Sequence, residues 1–259
     1  MKVFILTDLE GISGVLSIDC IEKKPDYADA CKKLEKSLNF AIRVLRENGA
    51  EKIYYLDGHG GGGNIDPSAI DPFAEKTTIA GWQELIRSGG IDFQIELGCH
   101  TRAGTLGGFL DHTMSSKKWF SYEVNGREYG ELGIHALFCG AYGVPVAMCS
   151  GDDAACEQAK EYIPGIITAA VKHADCRNLC VDYPDADAIL EKALISAARG
   201  YKDIKPLTTS LPAEIRLTYY RSDMCDEVFA KAPAGVVRES ARTLSKRISR
   251  ITSYDELKF

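Results

Sequence analysis

The chain has 259 residues, 45% of them hydrophobic and 26% charged, and 31 Lys and Arg against 37 Asp and Glu leave a net charge of −6. This is the composition of a globular protein large enough to bury a core without disulfide or metal staples. The acidic balance and the lack of a Lys/Arg block exclude the electrostatic footprint of a nucleic-acid binder and the polybasic patch of a membrane-surface protein.

Val3–Thr7 is a short continuous apolar run, the pattern of a strand buried on both faces. After a Gly-containing loop, Ala30, Leu34, Leu38, Ala41, Ile42 and Leu45 recur at helical spacing from Asp26 onward, and Gly49 closes that helix. Ile53–Leu56 and Phe93–Leu97 read as further strands. Lys118–Val124 and Arg127–Glu131 flank Asn125-Gly126, the strongest short hairpin signal. Glu131–Tyr142 reads as helix, Val144–Cys149 as strand, Asp152–Tyr162 as helix and Ile166–Val171 as strand. Beyond these, Asp185–Gly200 is an amphipathic helix, and Lys205–Pro212 reads as a linker. Glu214–Tyr220 and Arg242–Ile251 alternate as strands around a helix at Ser222–Ala230. The expected fold is α/β, with a mostly parallel, Rossmann-like three-layer sheet domain over residues 1–180 and a smaller α+β domain over 181–259.

Leu132–Gly151 has 20 residues without Lys, Arg, Asp or Glu, the length of a membrane span. Its four glycines, His135 and Pro145 suit a buried helix, a turn and a buried strand instead. The N-terminal apolar stretch runs at once into charge, unlike a signal peptide. Nine scattered cysteines without a Cys-x-x-Cys pair read as reduced thiols, so a cytoplasmic location is expected. His173 near Cys176 and Cys180 is read as a chance grouping rather than a metal site.

Gly58-His59-Gly60-Gly61-Gly62-Gly63 formally matches a dinucleotide fingerprint. That fingerprint needs a helix to begin there, and Pro67 and Pro72 oppose one. No Gly-Lys-Ser/Thr closes the run as a phosphate loop. The histidine carries more chemistry than the glycines. Asp8 and Glu10 follow the first strand two residues apart, so an extended backbone turns both carboxylates to one side. His59 and His100 follow two other strands, and Glu131 lies in Gly130-Glu131-Leu132-Gly133. Each of these residues alone suits an ordinary turn or cap role. Gathered at the carboxyl edge of a parallel sheet, they suit a pair of divalent ions such as zinc. His135, one helical turn after Glu131, fits either a sixth ligand or a satisfied histidine on the helix face, and the second reading is preferred.

These segments resemble a known family. Asp8-Leu9-Glu10-Gly11-Ile12-Ser13-Gly14, Asp57-Gly58-His59 and Gly98-Cys99-His100-Thr101-Arg102-Ala103-Gly104 are similar to motifs of the D-aminopeptidases of the dipeptide-transport-protein (DppA) type, a dinuclear zinc metallopeptidase family. His112-Thr113-Met114-Ser115, Gly130-Glu131-Leu132-Gly133, Gly151-Asp152-Asp153 and Thr168–Lys172 continue the match in order. The resemblance covers residues 1–175 well and the tail loosely.

It implies two zinc ions per chain, with Asp8 bridging both, Glu10 and His100 completing one ligand set, and His59 and Glu131 the other. His112 matches the catalytic histidine, described in that family as the nucleophile. Proton transfer suits it better, because a metal pair already supplies a bridging hydroxide. The resemblance further implies short peptide substrates, a preference for an N-terminal D-residue, and a homo-oligomer, a decameric ring enclosing its active sites. Two departures stand out: the glycine run after His59 gives that ligand loop unusual freedom, and a terminal helix beginning at Ser253 looks truncated. Two other classes stay open. One is a dinuclear hydrolase of another amide or of a phosphate ester, for which Arg102 is the candidate anion-binding group. The other is a non-catalytic metal- or peptide-binding module.

Overall fold

The computed structural model describes residues 1–259. Its first half is built from β1 (Lys2–Thr7), α1 (Asp19–Glu22), α2 (Asp26–Glu47), β2 (Lys52–Asp57), β3 (Ala74–Lys76), α3 (Ile79–Arg87), β4 (Phe93–Cys99), β5 (Trp119–Val124) and β6 (Arg127–Glu128). The second half adds α4 (Glu131–Ala141), β7 (Val146–Asp152), α5 (Asp153–Tyr162), β8 (Ile167–Cys176), β9 (Leu179–Asp182), α6 (Ala186–Gly200), β10 (Ala213–Tyr219), α7 (Ser222–Phe229), β11 (Val237–Arg238) and β12 (Thr243–Ile248).

Seven strands form the main sheet in the order β3-β2-β1-β4-β7-β8-β9, parallel except for the antiparallel β8–β9 pair at one edge. All seven residues of β4 and all seven of β7 are buried, as central strands between two helical layers are, including the polar Gln94, Glu96, Ser150 and Asp152. α2 and α6 pack together on one face, and α4 and α5 cover the other. On that second face Trp82 of α3 meets Phe138 of α4 with ring centroids 5.0 Å apart. The expected three-layer α/β architecture is the one observed.

A second, antiparallel sheet runs β11-β12-β10-β5-β6. Its central strand β10 alternates buried and half-buried residues, the pattern of a sheet with one packed face. Asn125 and Gly126 both take positive φ (51° and 77°), which gives the β5–β6 hairpin its tight turn.

The expected division at residue 180 needs correction. β5 and β6 come from the first 180 residues yet pair in the second sheet, while β9 straddles residue 180 as an edge strand of the first sheet and α6, beyond it, packs on that sheet. Strand pairing across long sequence separations, not chain order, assigns them. The segment beginning at Ser253 is a single 3₁₀ turn, Tyr254–Leu257, closed by a capping box between Ser253 and Glu256. All nine cysteines are unpaired. No helix is long and apolar enough to cross a membrane.

Candidate metal centre

The strand order reverses at β1, whose neighbours are β2 on one side and β4 on the other. Crevices outside the carboxyl ends of strands at such a reversal are where open α/β sheets bind ligands. Asp8 leaves β1 here, His59 follows β2, His100 follows β4, and Glu131 is the first residue of α4.

The loop after β1 is pressed against the end of β4. Asp8 N donates to Leu97 O at 2.8 Å and Gly11 N to Gly98 O at 2.8 Å. A Cβ at Gly11 would lie 2.2 Å from Cys99 O, and one at Gly98 (φ 91°) 2.2 Å from Asp8 O, so only glycine permits this approach. From below, the fully buried Lys172 donates three hydrogen bonds, to the carbonyls of Glu10 (2.8 Å), Ile12 (2.6 Å) and Val15 (2.7 Å). Asp152 performs a similar service for the loop that carries His112. One carboxylate oxygen caps α5 at Ala155 N (2.7 Å), and the other accepts from Phe109 N (2.8 Å).

All five expected ligands converge. His59 Nδ1 lies 3.1 Å from Asp8 Oδ1 and 2.9 Å from Glu10 Oε2. His100 Nε2 lies 3.3 Å from Asp8 Oδ2 and 3.4 Å from Glu131 Oε1. Asp8, Glu10 and His100 can each turn one ligand atom to a common point, and so can His100, His112 and Glu131.

The donor set fits a cation. His100 Nδ1 is bonded to the Thr101 carbonyl at 2.9 Å, so that nitrogen carries the proton. Its buried Nε2 has no hydrogen-bond partner although two carboxylate oxygens lie beside it. A lone pair facing carboxylates without a proton or metal between them is unfavourable, and a divalent ion resolves the conflict.

The charges are strongly coupled. Burial opposes charge on His59, but Asp8 and Glu10 overcome it and hold the imidazole up at about 11. Burial likewise opposes charge on His100, and Glu131 and Asp8 raise it well above the ordinary range. Burial favours protonation of Asp8 and of Glu131, yet the histidines hold both carboxyls well below their usual values. In a metal-free protein the cluster therefore retains protons where an ion would bind.

His112 Nδ1 is fixed by the Leu110 carbonyl at 2.8 Å, and its Nε2 points to Glu131 Oε1 at 3.6 Å. Glu131 Oε1 also accepts from Met114 N at 2.7 Å. Leu110 and Met114, flanking His112, both have positive φ (49° and 56°), uncommon for such side chains and characteristic of strained functional loops.

The glycine run is less free than expected. Asn64 closes it, with Nδ2 donating to the His59 carbonyl (2.6 Å) and to Asp57 Oδ1 (2.9 Å), and its backbone N to Asp57 Oδ2 (2.7 Å). Asp57 is thus a loop clamp. The run is followed by a 3₁₀ turn at Pro67–Ala69 rather than by the α-helix that a dinucleotide fingerprint needs. His135 is satisfied as preferred: its Nδ1 lies 3.2 Å from Glu96 Oε1. His173 pairs with Asp153 at 2.9 Å. Arg102 pairs with Glu128 at 3.2 Å and lines neither cavity beside the ligands.

Two cavities flank the cluster. One, about 520 Å³, has Leu6, Leu56, Ile79, Trp82, Met114 and Tyr254 as its apolar wall, with Lys76, His135 and Lys258 also lining it. The other, about 650 Å³, is more polar and includes His112, Ser115, Lys117 and Arg177. The tail therefore contributes to the site through Tyr254. Sequence reasoning had no place for α3, which supplies Ile79 and Trp82; the signal was Thr78, whose Oγ1 accepts from Gly81 N at 3.1 Å as an N-cap.

Comparison with known proteins gives three findings. The model of the peptidase M55 family, described as D-aminopeptidase, matches residues 1–256. A D-aminopeptidase of Bacillus subtilis (strain 168) is 30% identical over 219 residues, covering 80% of this chain and 77% of the relative. The solved structure of the Zn-dependent D-aminopeptidase DppA from Bacillus subtilis, described as a self-compartmentalizing protease, superposes with a TM-score of 0.90 at 24% identity. That match covers 99% of this chain and 95% of the other.

Proposed function

The chain belongs to the M55 family of D-aminopeptidases, and from that premise we propose that it is a zinc-dependent aminopeptidase that hydrolyses short peptides with an N-terminal D-residue. The observation that carries this reading is the orphaned Nε2 of His100 among Asp8, Glu131 and the other donors at the strand-order reversal.

Asp8 would bridge two zinc ions, with Glu10 and His100 holding one and His59 and Glu131 the other. Such ions, when bound, supply Lewis acidity at the scissile carbonyl and activate water. The protein's own groups do the rest. The Thr101 carbonyl holds the His100 tautomer that leaves Nε2 free to ligate. The Leu110 carbonyl likewise fixes His112, so its Nε2 exchanges protons with the substrate and delivers one to the departing amine. Lys172 and Asp152 keep the two loops in register from behind.

A phosphate-ester substrate is less well served. Arg102, its expected anion-binding group, is turned to Glu128. A structural metal site is disfavoured by the two cavities that open on the ligands, since structural zinc sites are closed.

The chain further reads as a homo-oligomer that encloses its sites, on the strength of the self-compartmentalizing structural relative, and a decameric ring is the form the resemblance implies. Nine unpaired thiols fit a reducing, cytoplasmic compartment.

The test is a panel of D- and L-aminoacyl dipeptides and tripeptides incubated with the zinc-loaded protein. Release of the N-terminal residue from D-peptides over their L-isomers is expected. Hydrolysis of phosphate esters alone, or of no substrate, defeats the assignment.

A further inference from the structure

We infer that the apolar cavity walled by Leu56, Ile79, Trp82, Met114 and Tyr254 is the subsite for the side chain of the substrate's N-terminal residue, and that it selects large hydrocarbon side chains of leucine to phenylalanine size. The inference rests on the proposed aminopeptidase reading and deepens it.

Of the ligand cluster, Asp8 and Glu131 line both cavities, as do Ile79 and Met114, while Glu10 and His59 line the polar one alone. His112 lines only the polar one. A group that protonates the departing amine must lie on the leaving side of the scissile bond. The leaving residue therefore extends into the polar cavity, where Lys117 suits a peptide carboxylate and Arg177 is already paired to Asp111 at 3.0 Å. The acyl half, with the N-terminal side chain, extends across the ligands into the apolar cavity.

The chemistry of the wall then sets the preference. Trp82 has one polar atom, and its Nε1 donates to Gln94 Oε1 at 2.7 Å in the interior. The indole is only 1% exposed, so it backs the cavity from within the core and turns no polar atom toward it. Gln94 Nε2 in turn donates to Glu96 Oε1 at 2.6 Å, and Glu96 holds His135 Nδ1. This buried chain locks the wall in place, and Trp82 meets His135 and Tyr254 edge-on at 5.8 and 5.0 Å. Tyr254 Oη is directed to Met114 Sδ at 3.7 Å. A cavity of about 520 Å³ with such walls lies in the range of small-ligand pockets and is far larger than a methyl group needs. Burying a leucine or phenylalanine side chain there favours its substrates over alanine by roughly 10- to 100-fold in kcat/KM.

The test uses Ala80, an exposed residue in the first turn of α3 that lines the apolar cavity alone. Kinetics are measured for wild type and Ala80→Phe with D-Ala-, D-Leu- and D-Phe-Gly-Gly, and with D-Ala peptides varied in the leaving residue. Binding of D-phenylalaninamide and D-alaninamide to both zinc-loaded proteins is measured by calorimetry. Wild type is expected to favour D-Leu and D-Phe. With the added ring filling the cavity, Ala80→Phe should lose that preference, its kcat/KM falling most for D-Phe and D-Leu and least for D-Ala-Gly-Gly. The inference is overturned by equal losses on all substrates, by loss governed by the leaving residue, or by no size preference in wild type. Size-selective amide binding without hydrolysis of any peptide supports the cavity and defeats the peptidase reading; neither binding nor hydrolysis defeats both.

Discussion

The imidazoles of His100 and His112 are stacked face to face, their centroids 3.9 Å apart and their planes 9° from parallel. Each ring donates its Nδ1–H to a carbonyl, and each turns Nε2 toward Glu131 Oε1. They differ in their second neighbour: His100 Nε2 also faces Asp8 Oδ2 at 3.3 Å, whereas His112 lies at the lip of the polar cavity. Two carboxylates around one nitrogen suit a ligand, and one suits a group that must gain and release a proton.

The two rings should therefore fail differently. His112→Ala is expected to keep its zinc and its fold while turnover falls by roughly 10²- to 10⁴-fold, the range for a lost acid–base group. His100→Ala should lose zinc and activity together, with partial recovery in excess metal. Metal analysis and turnover on the same preparations decide it: an active His112→Ala enzyme, or one stripped of zinc, removes His112 from the proton-transfer role.

Asp8 touches both sides of the cluster, 3.1 Å from His59 and 3.3 Å from His100. Fully loaded wild type should contain about two zinc ions per chain. Asp8→Ala should lose both, and His59→Ala only one. Elemental analysis that never exceeds one ion per chain contradicts the dinuclear arrangement.

Zinc must displace protons from this cluster. His59, at about 11 in the metal-free protein against an ordinary 6.5, carries a proton at neutral pH that a ligand nitrogen cannot keep. The raised value stabilises the metal-free fold fully below about pH 6.5, and that contribution fades as pH rises toward 11. Zinc affinity should therefore increase with pH, and the melting temperature of the metal-free protein should fall from neutral to alkaline pH. Calorimetric titration in buffers of different ionisation enthalpy should show net proton release on binding; zero release would count against the His59 contact.

Lys172 is a positioning residue that never meets the ions. Lys172→Met leaves the carbonyls of Glu10, Ile12 and Val15 without their shared donor. Buried acceptors left unpaired cost about 1–3 kcal/mol each, so the unfolding midpoint should drop clearly. Zinc affinity should weaken by roughly 10- to 100-fold, as when groups that orient ligands are removed. A variant destabilised to that degree but with wild-type zinc affinity would restrict Lys172 to the core.

What lies close in the chain was legible in it. The continuous apolar run Val3–Thr7 became a strand buried on both faces, and Asn125-Gly126 became a tight hairpin turn. Periodicity and turn chemistry act over a few residues, so they show in a few residues. The convergence of the candidate ligands was legible too, as Asp, Glu and His placed just beyond strands whose parallel pairing gathers their ends.

Tertiary structure alone decided the rest. Val124 pairs with Ile215, which draws β5 and β6 out of the first sheet's sequence and into the second sheet. Lys172 and Asp152 hold loops far away in the chain, and the Trp82–Gln94–Glu96–His135 chain spans three elements. Nothing local marks such residues. A buried polar group is stable only where its partners arrive from elsewhere, and burial of the whole core fixes where they arrive.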